Sequence, residues 1–266
     1  MSDPNSNPYI FPFGQPVRPV IQEDRSAKQA FILGVYASAV HARWKGVDGK
    51  TKIMALAVAS EPYIFWRGDG AEEIVGGIEI PAEAGSLVPA AKNLNGPSGN
   101  TLDQAFIEPM GLTRDDCWLS DIYPHSCMNS KQRAALDREY MPIMEDPGLP
   151  LPHMPEAPKS DPGPERHAQI LAELKESQAD TIVLLGDLPI KWWLTHYLPH
   201  YKRLSNFGTT PETYGRKHVC EIDGSTYQLL PLVHPRQAGR LGPHSGRWAE
   251  LHEGLTWPCN FSPEEG

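Results

Sequence analysis

A chain of 266 residues with 40% apolar content can bury one large core, and its formal net charge of −9 excludes a protein held to nucleic acid by bulk positive charge. Any nucleic-acid contact must come from a local basic patch. No apolar run is long enough to span a membrane, and the four cysteines (Cys117, Cys127, Cys220, Cys259) form no Cys-x-x-Cys pair, which argues against a zinc or iron–sulfur site.

The start, Met-Ser-Asp-Pro-Asn, lacks the basic and apolar stretches of a signal peptide, so free thiols in a reducing cytoplasm are expected. Residues 1–28 are rich in Pro and Asn and read as an arm over the surface. A short buried strand is expected from residue 31, ended by Gly34, with His41, Arg43 and Trp44 following on an irregular loop or helical turn. Residues 52–59, which include Val58, form a continuous apolar run of the kind a fully buried parallel strand carries. Residues 62–95 have no clean period and read as an insertion. Residues 96–106 turn into a helix, with Ser98 or Asn100 as its N-cap.

A third strand is expected at 116–121 and a short helix at 131–140. The Pro-laden stretch 141–164 reads as a loop. Residues 165–177 predict an amphipathic helix with Ile170, Leu171 and Leu174 on one face. Residues 180–186 are the clearest strand, leading through Asp187 into a helix near 190–194, where Trp192 and Trp193 read as core aromatics. The segments 218–222 and 226–233 predict a hairpin, because Asp223-Gly224 is a strong turn signal. His234-Pro-Arg236 follows, and a last helix is expected at 247–255. Strands alternating with helices imply an α/β fold with a mainly parallel sheet, and such sheets bind ligands outside the carboxyl ends of their strands.

Four segments, in this order, resemble the uracil-DNA glycosylase superfamily over roughly residues 31–255. They are Gly34-Val-Tyr-Ala-Ser38, Gly96-Pro-Ser-Gly99 with Leu102 and a helix after it, Cys117-Trp-Leu-Ser-Asp-Ile122, and Leu232-Val-His-Pro-Arg236. The resemblance implies a three-layer α/β/α fold with a central four-stranded, mainly parallel sheet. It implies a single domain over 1–266, with the arm 1–28 and insertions near 62–95 and 141–164. The implied activity is base flipping followed by hydrolysis of the N-glycosidic bond. Water is the acceptor, no cofactor is needed, DNA is the partner, no membrane is involved, and a monomer suffices.

The departures from the family pattern set the site expectations. Tyr36 stands where the family has an Asp or Asn that positions water, and Ala37 stands where it has Pro. A neutral phenol is a poor general base at pH 7, so either His41, Glu61 or Asp69 positions the water or the departing base does most of the work. Asp121 stands where the family commonly has an Asn that matches uracil. An ionised Asp only accepts hydrogen bonds, which favours the exocyclic amine of cytosine. The expected base is therefore a modified cytosine, such as those some phages carry, with antiphage defence as the role, or else uracil. His234 corresponds to the histidine that stabilises charge on the leaving base, so His234, Tyr36 and His41 are the catalytic candidates. Asp121, Tyr36 and Val58 are candidates to touch the base. Ser98, Arg236, Arg240, Leu241, His244 and Arg247 are candidates to touch DNA, with Arg240 or Leu241 as a wedge in the vacated stack. A decayed, DNA-binding or damage-sensing relative is the alternative. An unrelated nucleotide-handling hydrolase is less attractive, because there is no Gly-rich phosphate loop.

Overall fold

The computed structural model describes residues 9–145, 148–241, 245–255 and 257. In chain order the elements begin with β1 (Ala30–Tyr36), β2 (Ala39–Lys45), β3 (Thr51–Ser60), α1 (Ala71–Gly76), β4 (Ser86–Pro89) and α2 (Pro97–Leu102), which a π turn (Asp103–Ile107) prolongs. They continue with β5 (Cys117–Tyr123), α3 (Ser130–Glu139), α4 (Pro164–Ser177), β6 (Thr181–Leu185) and α5 (Asp187–Trp192). The last are β7 (His218–Ile222), β8 (Ser225–Leu232), α6 (Pro235–Ala238) and α7 (Gly246–Glu253). Described residues within 1–20, 36–97 and 124–159 form one compact unit, and those within 21–35, 98–123 and 160–266 form another.

The second unit holds a five-stranded sheet in the order β5-β1-β6-β8-β7. β1 and β6 run parallel, with Ala30 beside Thr181 and Leu33 beside Leu184. β6 and β8 run parallel from the Thr181–Gln228 pair to the Leu185–Leu232 pair. The amide of Gln29 donates to the carbonyl of Asp116 at 2.8 Å, so β5 starts where β1 starts and runs the same way. All five side chains of β6 are buried, as expected of a strand covered on both faces. The four-stranded sheet expected from the sequence is therefore a five-stranded mixed one. The extra strand, β7, is the first arm of the hairpin. Its side chains alternate in burial, and it pairs antiparallel to β8 at the edge of the sheet. A two-residue turn permits no other direction: Asp223 and Gly224 take φ of 49° and 77°, the left-handed pair that a tight hairpin requires.

α4 buries His167, Ile170, Leu174 and Ser177, a stripe at helical spacing, while Leu171 is half-buried. Trp192 and Trp193 are buried, as their aromatic character after β6 suggests. Ser98 and Asn100 do not cap a helix, because α2 already begins at Pro97, whose fixed φ suits a first helical turn.

The first unit is built on a three-stranded sheet in the order β3-β2-β4. Here the sequence expectations need three corrections. Residues 52–59 are not a parallel strand buried on both faces. They lie in β3, which pairs antiparallel with β2, and its Met54 is 57% exposed. Many of the apolar letters in that run are alanines, which a half-exposed strand tolerates. His41, Arg43 and Trp44 are not on a loop. They lie in β2, whose Val40, Ala42 and Trp44 are buried while His41, Arg43 and Lys45 are half-buried, the period-two pattern of a strand. The amide of Gly46 donates to the carbonyl of Lys50 and closes the β2–β3 turn.

The third correction concerns the arm. Phe11 and Val17 are fully buried, so residues 9–20 belong to a core and do not coat a surface. The Phe13 ring sits edge-on to Trp44 and Tyr140 at centroid distances of 5.7 and 5.2 Å. The Tyr140 hydroxyl accepts from the Phe13 amide and donates to the Pro150 carbonyl at 2.9 Å. The segment 62–95 supplies α1 and β4 to this unit, and its Ala84 carbonyl accepts from the Trp44 indole at 2.7 Å.

Candidate functional site

β8 delivers Val233 and His234 just past its carboxyl end, beside the end of β6, where the Gly186 amide donates to the Leu232 carbonyl at 2.7 Å. Gly186 has φ of 87°, and a Cβ there would lie 3.2 Å from the Cβ of His234, so only glycine lets the two strand ends approach this closely. His234 is half-buried and caps α6. Its Nδ1 accepts the Arg236 amide at 3.1 Å. A ring nitrogen that accepts cannot carry a proton, so the neutral imidazole has its proton on Nε2. Burial, assisted by the Arg236 guanidinium, pushes His234 down to about 4, so the ring is neutral at pH 7. The result is a fixed neutral N–H donor at a strand end.

A buried chain of hydrogen bonds holds the backbone before it. The Val233 amide donates to the Tyr214 hydroxyl at 3.0 Å. That hydroxyl lies 2.9 Å from Nδ1 of His252, and Nε2 of His252 lies 2.8 Å from the Ala105 carbonyl. The carbonyl can only accept, so Nε2 of His252 donates to it and Nδ1 accepts from Tyr214. Burial pushes the His252 imidazole down and the Tyr214 phenol up, which keeps both neutral. The relay ties β8 to α7 and to the π turn after α2. The sequence reasoning missed both side chains. His252 falls three residues after the buried Ala249 on α7, a spacing that marks it as inward-facing.

β5 carries Asp121, 3% exposed, two residues before its end. Arg166 of α4 fixes this stretch of backbone. Its Nη2 donates to the Asp121 carbonyl at 2.7 Å and to the Ser120 hydroxyl at 3.1 Å, and its Nε donates to the Ile122 carbonyl at 3.3 Å. Nη1 of Arg166 pairs with Glu173 at 2.7 Å, and the Ser120 hydroxyl donates to the other oxygen of Glu173 at 2.5 Å. Arg166 was also missed, although its i,i+7 spacing to Glu173 places the two on one face of α4. His234, Asp121 and the segment 98–102 thus belong to one compact unit, at or near strand ends or helix starts. A side chain at Gly239 would come within 2.8 Å of Thr101 Oγ1, so α6 ends against α2, the helix that holds the half-buried Ser98.

No protein-family model and no curated protein matches this chain.

The basic loop after His234 is less uniformly available than its letters suggest. Arg236 is exposed and makes no ion pair among the described residues. Arg240 is paired with Glu253 at 3.1 Å, and Arg247 donates to the Thr209 carbonyl at 3.0 Å. Arg240 also takes φ of 55°, a left-handed conformation that costs a non-glycine residue about 1–2 kcal/mol. The following amide, from Leu241, donates back to the Arg236 carbonyl at 2.8 Å, a helix-ending bond that presents Leu241 with 37% exposure. His244 lies outside the described residues.

The remaining candidates belong to the first unit. Tyr36 closes β1 and is 38% exposed. His41 lies in β2, where its amide and carbonyl pair with the Asn95 side chain at 2.8 and 3.0 Å. Burial pushes its imidazole down to about 4, against the backbone groups of Ala39 and Leu94, which favour the charged ring. Asp69 accepts from the Tyr63 hydroxyl at 2.5 Å, and Glu61 is buried. Val58, expected to touch a base, is fully buried and packs in the hydrophobic core of this unit. A side chain with no accessible surface fills that core and is not offered to a ligand.

Proposed function

We propose that this protein is a DNA glycosylase that flips a base out of the helix and hydrolyses its N-glycosidic bond. The observation that carries the reading is His234: neutral, with its proton on Nε2, at the carboxyl end of a parallel strand. As the bond between C1′ and the base breaks, its electron pair stays on the base and negative charge gathers on the carbonyl oxygen beside the bond. The Nε2–H of His234 donates to that oxygen. Water adds to C1′ and releases a proton, leaving an abasic site. A donor aimed at developing charge contributes about 3–4 kcal/mol. Asp121, where ionised, favours cytosine derivatives over uracil, because a carboxylate accepts from an exocyclic amine and repels a carbonyl. Arg236 and Ser98 would hold phosphates, and Leu241 would fill the gap in the stack.

The test uses duplexes that hold uracil, cytosine, hydroxymethylcytosine or glucosylated hydroxymethylcytosine, treated with alkali after incubation so that abasic sites become strand breaks. Breaks are expected on a cytosine derivative. His234→Ala is expected to lower turnover by at least about a hundredfold, in line with the loss of one such donor, while DNA binding changes little. Equal losses of turnover and binding would reduce His234 to a phosphate contact.

Tyr36 favours one second reading. A phenol where the family pattern holds a carboxylate or amide leaves no water-positioning group at that place, as in a relative that binds damaged or modified DNA without cutting it. Binding to any of these duplexes without breaks would support that reading.

A further inference from the structure

Away from the strand ends, the second unit contains a group of three side chains that the proposed reaction does not use. Asp161 lies in the loop before α4, His167 in the first turn of α4, and His196 in the 3-10 turn Leu194–His196 that follows α5. Nε2 of His167 lies 3.0 Å from one carboxylate oxygen of Asp161, and Nε2 of His196 lies 2.9 Å from the other. The two rings meet edge to face, with centroids 4.1 Å apart at 81°. The three candidate donor atoms lie within 4.8 Å of one another.

We propose that Asp161, His167 and His196 bind a divalent transition-metal cation, zinc by the chemistry of the donors. Two imidazole nitrogens and one carboxylate are the donor types that zinc takes at about 2.0–2.2 Å, and three protein ligands leave a fourth position for water. Asp161 and His196 are exposed, so the fourth position faces solvent.

A second observation points the same way. His167 is only 8% exposed, yet its Nε2 has no hydrogen bond of acceptable geometry, although a carboxylate oxygen stands 3.0 Å away. Buried polar atoms ordinarily find an aligned partner. A nitrogen held against an anionic oxygen without donor alignment fits two ligands facing a shared cation better than a donor facing its acceptor. The carboxylate is itself oriented, because Oδ1 accepts the Gly163 amide at 2.7 Å, the kind of outer contact that fixes a metal ligand.

The cation would tie three segments together: the loop at 161, the start of α4 and the turn at 196. Arg166, which grips the end of β5, is the residue before His167. The site therefore bears on the stability of this unit whether or not the protein cleaves DNA. The sequence shows no metal spacing because the ligands come from three separate elements.

The experiment strips the full-length protein with EDTA, removes the chelator, and titrates Zn²⁺ by calorimetry alongside thermal melts. One equivalent is expected to bind with a rise in Tm. Co²⁺ in place of Zn²⁺ is expected to show the visible absorption of a four-coordinate ion. His196→Ala and Asp161→Asn are each expected to weaken binding at least about tenfold, whereas His200→Ala leaves it unchanged. His196 is exposed, so its variant tests the site even where the buried His167→Ala fails to fold. No uptake by the stripped protein, or uptake that survives both His196→Ala and Asp161→Asn, overturns the proposal.

Discussion

His234 has an ordinary neighbourhood in the sequence and an unusual one in the fold. In water an imidazole titrates near 6.5, whereas burial and Arg236 push this one down to about 4. Two consequences follow with definite sign. The unfolded chain binds a proton at 6.5 and the folded one only near 4, so the stability contributed by the neutral ring is complete above pH 6.5. It is lost as pH falls from 6.5 toward 4. His41, also pushed down to about 4 by burial, acts in the same direction, so the urea midpoint is expected to fall between pH 7 and pH 5. Catalysis behaves differently. A neutral Nε2–H donor already formed at pH 7 stays formed to well below pH 6, so kcat/KM for base release is expected to be flat from pH 7.5 to 5.5. An acid limb centred at 6.5 that disappears in His234→Gln would show that His234 titrates like a solvated imidazole, against the burial and the Arg236 charge that push it down.

The end of β5 is held by a helix, and that coupling can be measured. Arg166 leaves α4 to bond Ser120, Asp121 and Ile122 and pairs with Glu173 while only 11% exposed. Removing it strands a partly buried carboxylate and backbone carbonyls, a loss of about 2–4 kcal/mol. Arg166→Ala is therefore expected to lower the urea midpoint with little change in slope. Arg166→Lys is expected to recover only part of the loss, since a single ammonium cannot serve several acceptors in a plane. An unchanged midpoint in Arg166→Ala would mean that water replaces the guanidinium at no cost.

Local periodicity accounts for what was legible at this scale. The apolar run 182–185, the stripe on α4 and the Asp223-Gly224 turn each lead to one structure, and each is found. Alternation failed at two places. The alanines of 52–59 hid the exposed face of an antiparallel strand, and β2 was hidden because a strand carrying His41, Arg43 and Lys45 on one face looks like a polar loop. Helical spacing turns Arg166 and His252 toward the interior, but their partners, like those of Tyr214, are distant in sequence and no local pattern names them. The fifth strand is the first arm of the hairpin, and the turn signal alone does not say that this arm extends the sheet.

On the scale of the whole molecule, a net charge of −9 must coexist with any grip on DNA. The long-range field then repels DNA on balance, and affinity has to come from a few close phosphate contacts. Arg236, Arg240 and Arg247 supply at most three in the described basic loop, and Arg240 must leave Glu253, which is 3.1 Å away, to contribute. Each neutralised phosphate on duplex DNA adds about 0.9 to the slope of log Kobs against log salt, so three contacts give a slope of roughly −3, far shallower than for strongly basic DNA-binding proteins. Binding measured by fluorescence anisotropy between 25 and 200 mM salt checks this. Arg236→Ala is expected to reduce the slope by about 1 and to weaken binding to every duplex alike, since a phosphate contact carries no base information. Glu253→Gln is expected to tighten binding modestly by releasing Arg240. A slope near zero, or one that Arg236→Ala leaves untouched, would place DNA elsewhere on the protein or remove it as the partner.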